Sequence, residues 1–261
     1  MKRGRIVCAW LAVVLAALVF APSSALASPA LRMSADDEQI LAAMLASDAR
    51  DADAVSARFL GTPYGANTLI GSATEPEQLV VDLQHVDCFT YADYVEALKR
   101  ANDRASFLES LTAVRYKDGE VSFQSRRHFF TDWSASAPAV ATDVTSAVSD
   151  DAVRTSKRLN EKDSGGVYLP GLPPVTRDVS YIPSDRVDDE VIGRLRTGDY
   201  VGAYAEDGGL DVTHVGIFID SPAGPMFRNA SSLESDMGVV DTPLRAYLAT
   251  VPGVVVLRPL R

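Results

Sequence analysis

Val212-Thr213-His214-Val215-Gly216-Ile217-Phe218-Ile219 alternates β-branched residues with small, aromatic or polar ones. The period of two predicts a strand with Thr213, Val215, Ile217 and Ile219 on one face and His214, Gly216 and Phe218 on the other. Shorter segments of the same kind surround it. Tyr200–Tyr204 and Met226–Ala230 are predicted strands, joined to it by turns at Asp207-Gly208-Gly209 and Pro222–Pro225. Val239–Asp241 and Val254–Leu257 extend the series, with a short helix at Pro243–Leu248 between them. The last third is therefore an antiparallel meander.

The first part of the chain reads differently. Asp36–Leu60 has helical spacing, interrupted at Asp48–Asp53. Leu79–Leu83 is short and β-branched, which suits an extended segment. Cys88 to about Arg100 is a clear helix with Phe89, Ala92, Val95 and Leu98 on its apolar positions and Asp87 as N-cap. Val114–Phe123 is expected to be a hairpin turning at Lys117-Asp118-Gly119, Ala135–Asp151 a surface helix or loop, and Ser164–Pro174 irregular. Helices followed by a meander give an α+β class.

The first residues read as an address. Lys2, Arg3 and Arg5 precede an apolar run from Ile6 to Ala21, and Ala25-Leu26-Ala27 supplies the small residues a signal peptidase reads. Residues 1–27 are expected to leave as a signal peptide, so that residues 28–261 form one domain, exported, periplasmic or extracellular, with no stable membrane insertion. The leader removes three of the 25 basic residues and none of the 35 acidic ones, which takes the formal charge from −10 to −13. That balance argues against a nucleic-acid partner. The spacing of His, Cys and Asp shows no zinc pattern, and no cofactor is expected.

Of two cysteines, Cys8 falls in the leader, so Cys88 is left as one unpaired thiol in an oxidising compartment. It sits in the first turn of its helix. There the unpaired N–H groups and a nearby imidazolium can lower a thiol pKa, and the same groups can hold an oxyanion. The plain alternative is a buried small hydrophobe. Three histidines could serve as base. His85 is three residues from the thiol and poorly placed for an in-line hydrogen bond, His128 lies among arginines, and His214 stands beside Gly216 on the best strand. His214 is the preferred base, and Asn229 on the next strand can accept its other ring N–H.

Four segments in this order carry a resemblance: Phe59-Leu60-Gly61-Thr62-Pro63-Tyr64, Val86-Asp87-Cys88-Phe89-Thr90, Thr213-His214-Val215-Gly216-Ile217 and Asn229-Ala230-Ser231-Ser232. Over roughly residues 55–260 the chain resembles the NlpC-type papain-like cell-wall cysteine hydrolases, most closely the family numbered 1460 and grouped as N-acetylmuramoyl-L-alanine amidase-like. The resemblance implies a papain-like fold with the cysteine helix packed on an antiparallel sheet. It implies Cys88 as nucleophile, His214 as base, Asn229 as third residue and Tyr64 as an aid to the oxyanion. Relatives often carry histidine where Asn229 stands, and an amide can orient an imidazole in its place.

Arg126-Arg127-His128-Phe129-Phe130-Thr131-Asp132-Trp133 concentrates guanidinium, imidazole and aromatic groups. Arg126, Arg127, His128 and Trp133 are the expected substrate face, because arginines grip the carboxylates of peptidoglycan stem peptides and aromatics stack on sugars. A core anchor with a snorkelling arginine pair is the alternative. Arg177 and Asp178 could add a wall. The reaction expected is hydrolysis of an amide bond in peptidoglycan or its fragments, with two bonds as candidates: the muramoyl–L-alanine amide and the D-glutamyl–diamino acid bond. A non-catalytic wall-binding module on the same fold, or a papain-like acyltransferase, are the other readings.

Overall fold

The computed structural model describes residues 30–260, so the expected leader lies outside the described residues. The chain begins with β1 (Leu31–Met33), α1 (Ala35–Leu45), α2 (Ala52–Ala57), β2 (Leu79–Val81), α3 (Cys88–Arg100) and α4 (Arg104–Arg115). Then come α5 (Asp132–Ala135), β3 (Ala141–Asp143), α6 (Thr145–Val148), β4 (Val153–Leu159), β5 (Val175–Pro183) and α7 (Asp189–Arg194). The last third holds β6 (Tyr200–Tyr204), β7 (Val212–Ser221), β8 (Gly224–Ser231), β9 (Gly238–Pro243), α8 (Leu244–Leu248) and β10 (Gly253–Pro259). The class is α+β.

The main sheet runs β4-β5-β10-β6-β7-β8-β9, with β3 also on β10, and every pairing in it is antiparallel. A separate parallel ribbon joins β1 to β2. The sheet is covered on both faces. Val215, Ile217 and Ile219 of β7 join the core that contains α3, and Phe218 joins a second core with Phe227, Leu244 and Leu248. The alternation of β7 thus feeds two cores.

Helix α3 is enclosed by α2, α4, β7 and β8, and every residue from Thr90 to Leu98 is buried. Asp87 caps it: the carboxylate accepts from the N–H of Phe89 at 3.0 Å and of Thr90 at 2.7 Å, and the Thr90 hydroxyl accepts from the Asp87 N–H at 3.0 Å. The first residue of a central, immobilised helix is a rigid place for a reactive side chain.

The hairpin at Val114–Phe123 is absent. Phe107, Leu111 and Val114, at helical spacing, are buried, so the helical period carries α4 through to Arg115. The chain then turns at Lys117–Gly119 with Asp118 and Gly119 at positive φ, and closes by a single bridge from Tyr116 to Arg126. The short helix α7 is capped by Asp188, whose carboxylate accepts from the Val191 N–H. Strands β4 and β5 carry no clear apolar alternation in sequence, because Lys157 of β4 points inward. Its ammonium reaches the carbonyls of Ala205 and Asp207 and lies 4.3 Å from the Tyr204 ring centroid.

Among the described residues no helix is long and apolar enough to cross a membrane.

Candidate active site

Three elements meet at the N-terminus of α3. The turn Gly61–Gly65 is stitched to the segment before the helix by Val86 N–H to Pro63 O and Gly65 N–H to Val86 O, both 3.1 Å. The same turn is stitched to β9 by Gly61 N–H to Val239 O and Val239 N–H to Thr62 O, both 2.9 Å. This double pairing holds Tyr64 beside Cys88, and burial first, then the neighbouring Cys88 and Asp87, raise the Tyr64 phenol above its ordinary value. Strand β7 supplies the third side, with the Val215 N–H facing the Cys88 sulfur.

His214 and Asn229 are joined across β7 and β8. The His214 Nε2 is 2.9 Å from Asn229 Oδ1. The amide Nδ2–H donates to Phe227 O at 3.2 Å and to the Thr242 hydroxyl at 3.4 Å, which fixes Oδ1 toward the ring. Nε2 is therefore the protonated nitrogen, and Nδ1 keeps the free lone pair. Asn229 is 3% exposed, so its amide is shielded from solvent.

A cleft of about 110 Å³ is lined by Cys88, Phe89, His128, Phe129, Phe130 and the run Leu210–Val215, His214 included. The nucleophile and base candidates therefore open onto one space. A second cleft, of about 210 Å³, shares His128 and Phe129 with it and extends past Lys117, Asp132, Arg177 and the Leu172-Pro173 wall.

The electrostatics reverse one expectation. Burial first, and then the Asp87 carboxylate, push the Cys88 thiol up to about 12, against a smaller opposing effect of the N–H groups of Val215, Cys88 and Phe89. The cap explains why the helix end helps so little: Asp87 occupies the Phe89 and Thr90 N–H groups and brings a negative charge to that end. His214 is lowered from its usual value by burial, partly offset by the Asn229 bond and by Asp87. The resting pair at neutral pH is a thiol beside a neutral imidazole.

Residues 54–254 match the family model described as AmiA-like, N-acetylmuramoyl-L-alanine amidase-like. The chain belongs to this amidase-like family. A crystal structure of an N-acetylmuramoyl-L-alanine amidase from Bacteroides uniformis is similar to it, with 27% identity and a TM-score of 0.67 over 81% of this chain and 98% of that one. A Legionella pneumophila protein of the family numbered 1460 shares the fold, with 22% identity and a TM-score of 0.72 over 87% and 95%. A Bacteroides fragilis structure described as a candidate xylanase is 26% identical, with a TM-score of 0.63 over 78% and 98%. The comparison with curated proteins gives no match.

The amidase-like chain does not use its expected substrate face as one surface. Arg127 is 2% exposed, and its guanidinium donates to the carbonyls of Ala113, Val114, Tyr116 and Pro138, which closes the end of α4 and the following turn. Trp133 is fully buried between Phe89, Phe130 and Tyr200. Arg126 pairs with buried Glu77 at 2.8 Å and bonds Gly71 O at 3.0 Å, away from both clefts. These three are held as interior anchors, and neither arginine snorkels to solvent. His128 does line both clefts; its Nε2 meets Phe123 O at 2.7 Å, and burial pushes the imidazole down to about 4, so it is neutral near pH 7. Arg177 lines the second cleft with its charge turned to Asp132 at 2.7 Å.

Sequence reasoning passed over Tyr247. Its helix was expected, but its role depends on packing. It stacks on Phe227 at 4.0 Å between ring centroids, lies 6.3 Å from the His214 ring, and is raised by burial and by Cys88. Gly216 is what makes room here: a Cβ would stand 2.5 Å from Phe227 ring carbons and 2.8 Å from Arg228 O. Gly216→Ala is expected to cost about 1–3 kcal/mol of stability through overpacking and to lower turnover by tilting His214. Thermal unfolding and turnover of the variant check both.

Proposed function

We propose that the protein is an exported, papain-like cysteine amidase that hydrolyses the muramoyl–L-alanine amide of peptidoglycan or its fragments. The observation that carries the reading is the His214–Asn229 bond, which leaves Nδ1 as the proton acceptor in a cleft that Cys88 also lines. The family description supports the substrate class, and the leader read from residues 1–27 agrees with a substrate outside the cytoplasm.

Cys88 attacks the lactyl carbonyl as Nδ1 of His214 takes the thiol proton. The Cys88 N–H is the helix donor that the Asp87 cap leaves unoccupied, and with the Tyr64 hydroxyl it meets the oxyanion. Collapse breaks the C–N bond, the imidazolium gives its proton to the departing L-alanine amine, and water activated by His214 cleaves the thioester. Asn229 holds the ring in one tautomer and accepts from Nε2–H when the ring is charged. The second cleft receives the stem peptide, with Lys117, the less enclosed of its two cations, as carboxylate partner.

Because the thiol rests protonated, proton transfer accompanies attack rather than preceding it. Slow alkylation of Cys88 at neutral pH is therefore expected of an active enzyme, and turnover, not labelling, separates a hydrolase from a binding module. The base must be neutral. Its lowered pKa keeps it so to more acidic pH, and the acid limb of kcat/KM is expected below pH 6.5. A limb centred above 6.5 in a profile from pH 4 to 8 would contradict His214 as the base.

A glycosidase reading is weaker on chemistry. Glycoside hydrolysis commonly needs two carboxylates about 5–9.5 Å apart. The Cys88 cleft is lined by one, Asp211, which is buried and holds the Thr131 N–H at 2.6 Å, the Thr131 hydroxyl at 2.8 Å and the Val212 N–H at 2.8 Å. Muropeptide digestion by the purified protein and by Cys88→Ala tests the amidase reading: products from the first alone support it, and equal products from both overturn it.

A further inference from the structure

We propose that a basic cleft at the C-terminal end of α3 binds an oligoanion, a ligand or polymer segment with two or more phosphate or carboxylate groups. The cleft holds about 700 Å³ and draws its cations from four places in the chain. Lys99 and Arg100 come from α3, Arg50 from the loop after α1, Arg196 from the loop before β6, and Arg258 from β10. Arg100 lies about 18 Å along the helix from Cys88, so this site is separate from the reaction cleft and does not depend on the proposed reaction.

Its charge does not balance. The lining contains two carboxylates, Glu96 and Asp199, against five cations. Glu96 is shared by Lys99 at 2.6 Å and Arg100 at 2.7 Å, and also takes the Tyr200 hydroxyl at 2.9 Å. Asp199 is held by both Nε and Nη2 of Arg258 at 2.7 Å. Arg50 spends its guanidinium on backbone carbonyls, Ala101 O at 2.8 Å among them. Arg196 is exposed and forms no ion pair among the described residues. Three positive charges are left over, in a chain whose formal charge is −10.

The arrangement is layered. Both carboxylates are 1% exposed and sit behind the wall, whereas the side chains of Lys99, Arg100 and Arg258 remain 16–33% exposed. A ligand entering the cleft therefore meets cationic heads whose partners are already committed. The helix dipole favours cations in the last turn of α3, which accounts for Lys99 and Arg100 but not for the three arginines brought from elsewhere. Their mutual repulsion falls when an anion of matching charge binds, and the local field draws such anions despite the net charge.

Isothermal titration of residues 28–261 with tripolyphosphate and, separately, with tricarballylate at 50 and 150 mM NaCl tests this. At least one probe is expected to bind with millimolar or tighter affinity, more weakly at the higher salt. Lys99→Gln/Arg196→Gln is expected to weaken it tenfold or more, and Cys88→Ala to leave it unchanged. Arg196→Gln alone, which removes no side-chain hydrogen bond or ion pair among the described residues, is expected to weaken binding measurably at an unchanged unfolding midpoint. Binding of one probe only assigns the ligand to phosphates or to carboxylates, and either supports the site. No binding of either at 50 mM NaCl, or full binding by the double variant, overturns it.

Discussion

Cys88→Ala is expected to lower muropeptide turnover by about 10⁴-fold or more while the unfolding free energy moves by no more than about 1 kcal/mol. The asymmetry follows from where the thiol stands. It is half-buried at the first turn of α3, and its polar neighbours are backbone N–H groups that the helix and β7 hold without it. Removing the sulfur therefore removes the attacking atom and little packing. Wild-type turnover with an inactive, folded variant excludes a wall-binding module. A product with the acyl group carried to a second nucleophile, rather than to water, would instead mark an acyltransferase.

Arg115→Met is expected to be the most destabilising of the substitutions considered, by about 3–5 kcal/mol. Arg115 is 1% exposed at the end of α4. Its Nε donates to Asp93 on α3 at 2.7 Å, its Nη1 donates to Val80 O on β2 at 2.7 Å, and its guanidinium lies 5.2 Å from the Tyr94 ring centroid. The substitution leaves the Asp93 carboxylate buried without its counter-charge and unties α3 from α4 and β2. Adding Asp93→Leu, which removes the stranded charge, is expected to recover part of the loss. Denaturant titrations of the three variants measure this. A loss below about 1 kcal/mol for Arg115→Met would mean that the pair does not anchor the nucleophile helix.

The parts of the fold that were legible in the sequence are those where a local pattern and the tertiary demand coincide. Asp87 ahead of an apolar helical repeat predicts α3 and its cap, and β6, β7 and β8 follow from period-two alternation. Where a polar side chain does interior work, the pattern misleads. Lys157 faces inward because backbone carbonyls receive its ammonium, so β4 does not look like a strand. Arg127 is solvated by four carbonyls, and composition cannot distinguish that from an exposed guanidinium awaiting a ligand. The hairpin expected after Val114 gives way to helix because Phe107 and Leu111 set a helical register that Val114 continues.

At the candidate site, the proposed residues could be named from the sequence, and their electrostatics could not. Cys88, His214 and Asn229 could be named from chain order, and the 2.9 Å His–Asn contact supports the proposed pairing. The state of the thiol could not be named, because it depends on how deeply the sulfur is buried and on how Asp87 uses the helix N–H groups. Tyr247 has no sequence signal of its own; only the fold of α8 over β8 brings it to His214.

The proposed reaction is amide hydrolysis between muramic acid and L-alanine. Its most direct test is mass spectrometry of N-acetylmuramoyl-L-alanyl-D-isoglutamyl-diaminopimelate after incubation with the purified protein. Two products are expected, N-acetylmuramic acid and the tripeptide with a free L-alanine amine, their masses summing to the substrate plus one water. Substrate left intact, or cut at the D-glutamyl bond with the muramoyl–alanine amide preserved, would contradict it.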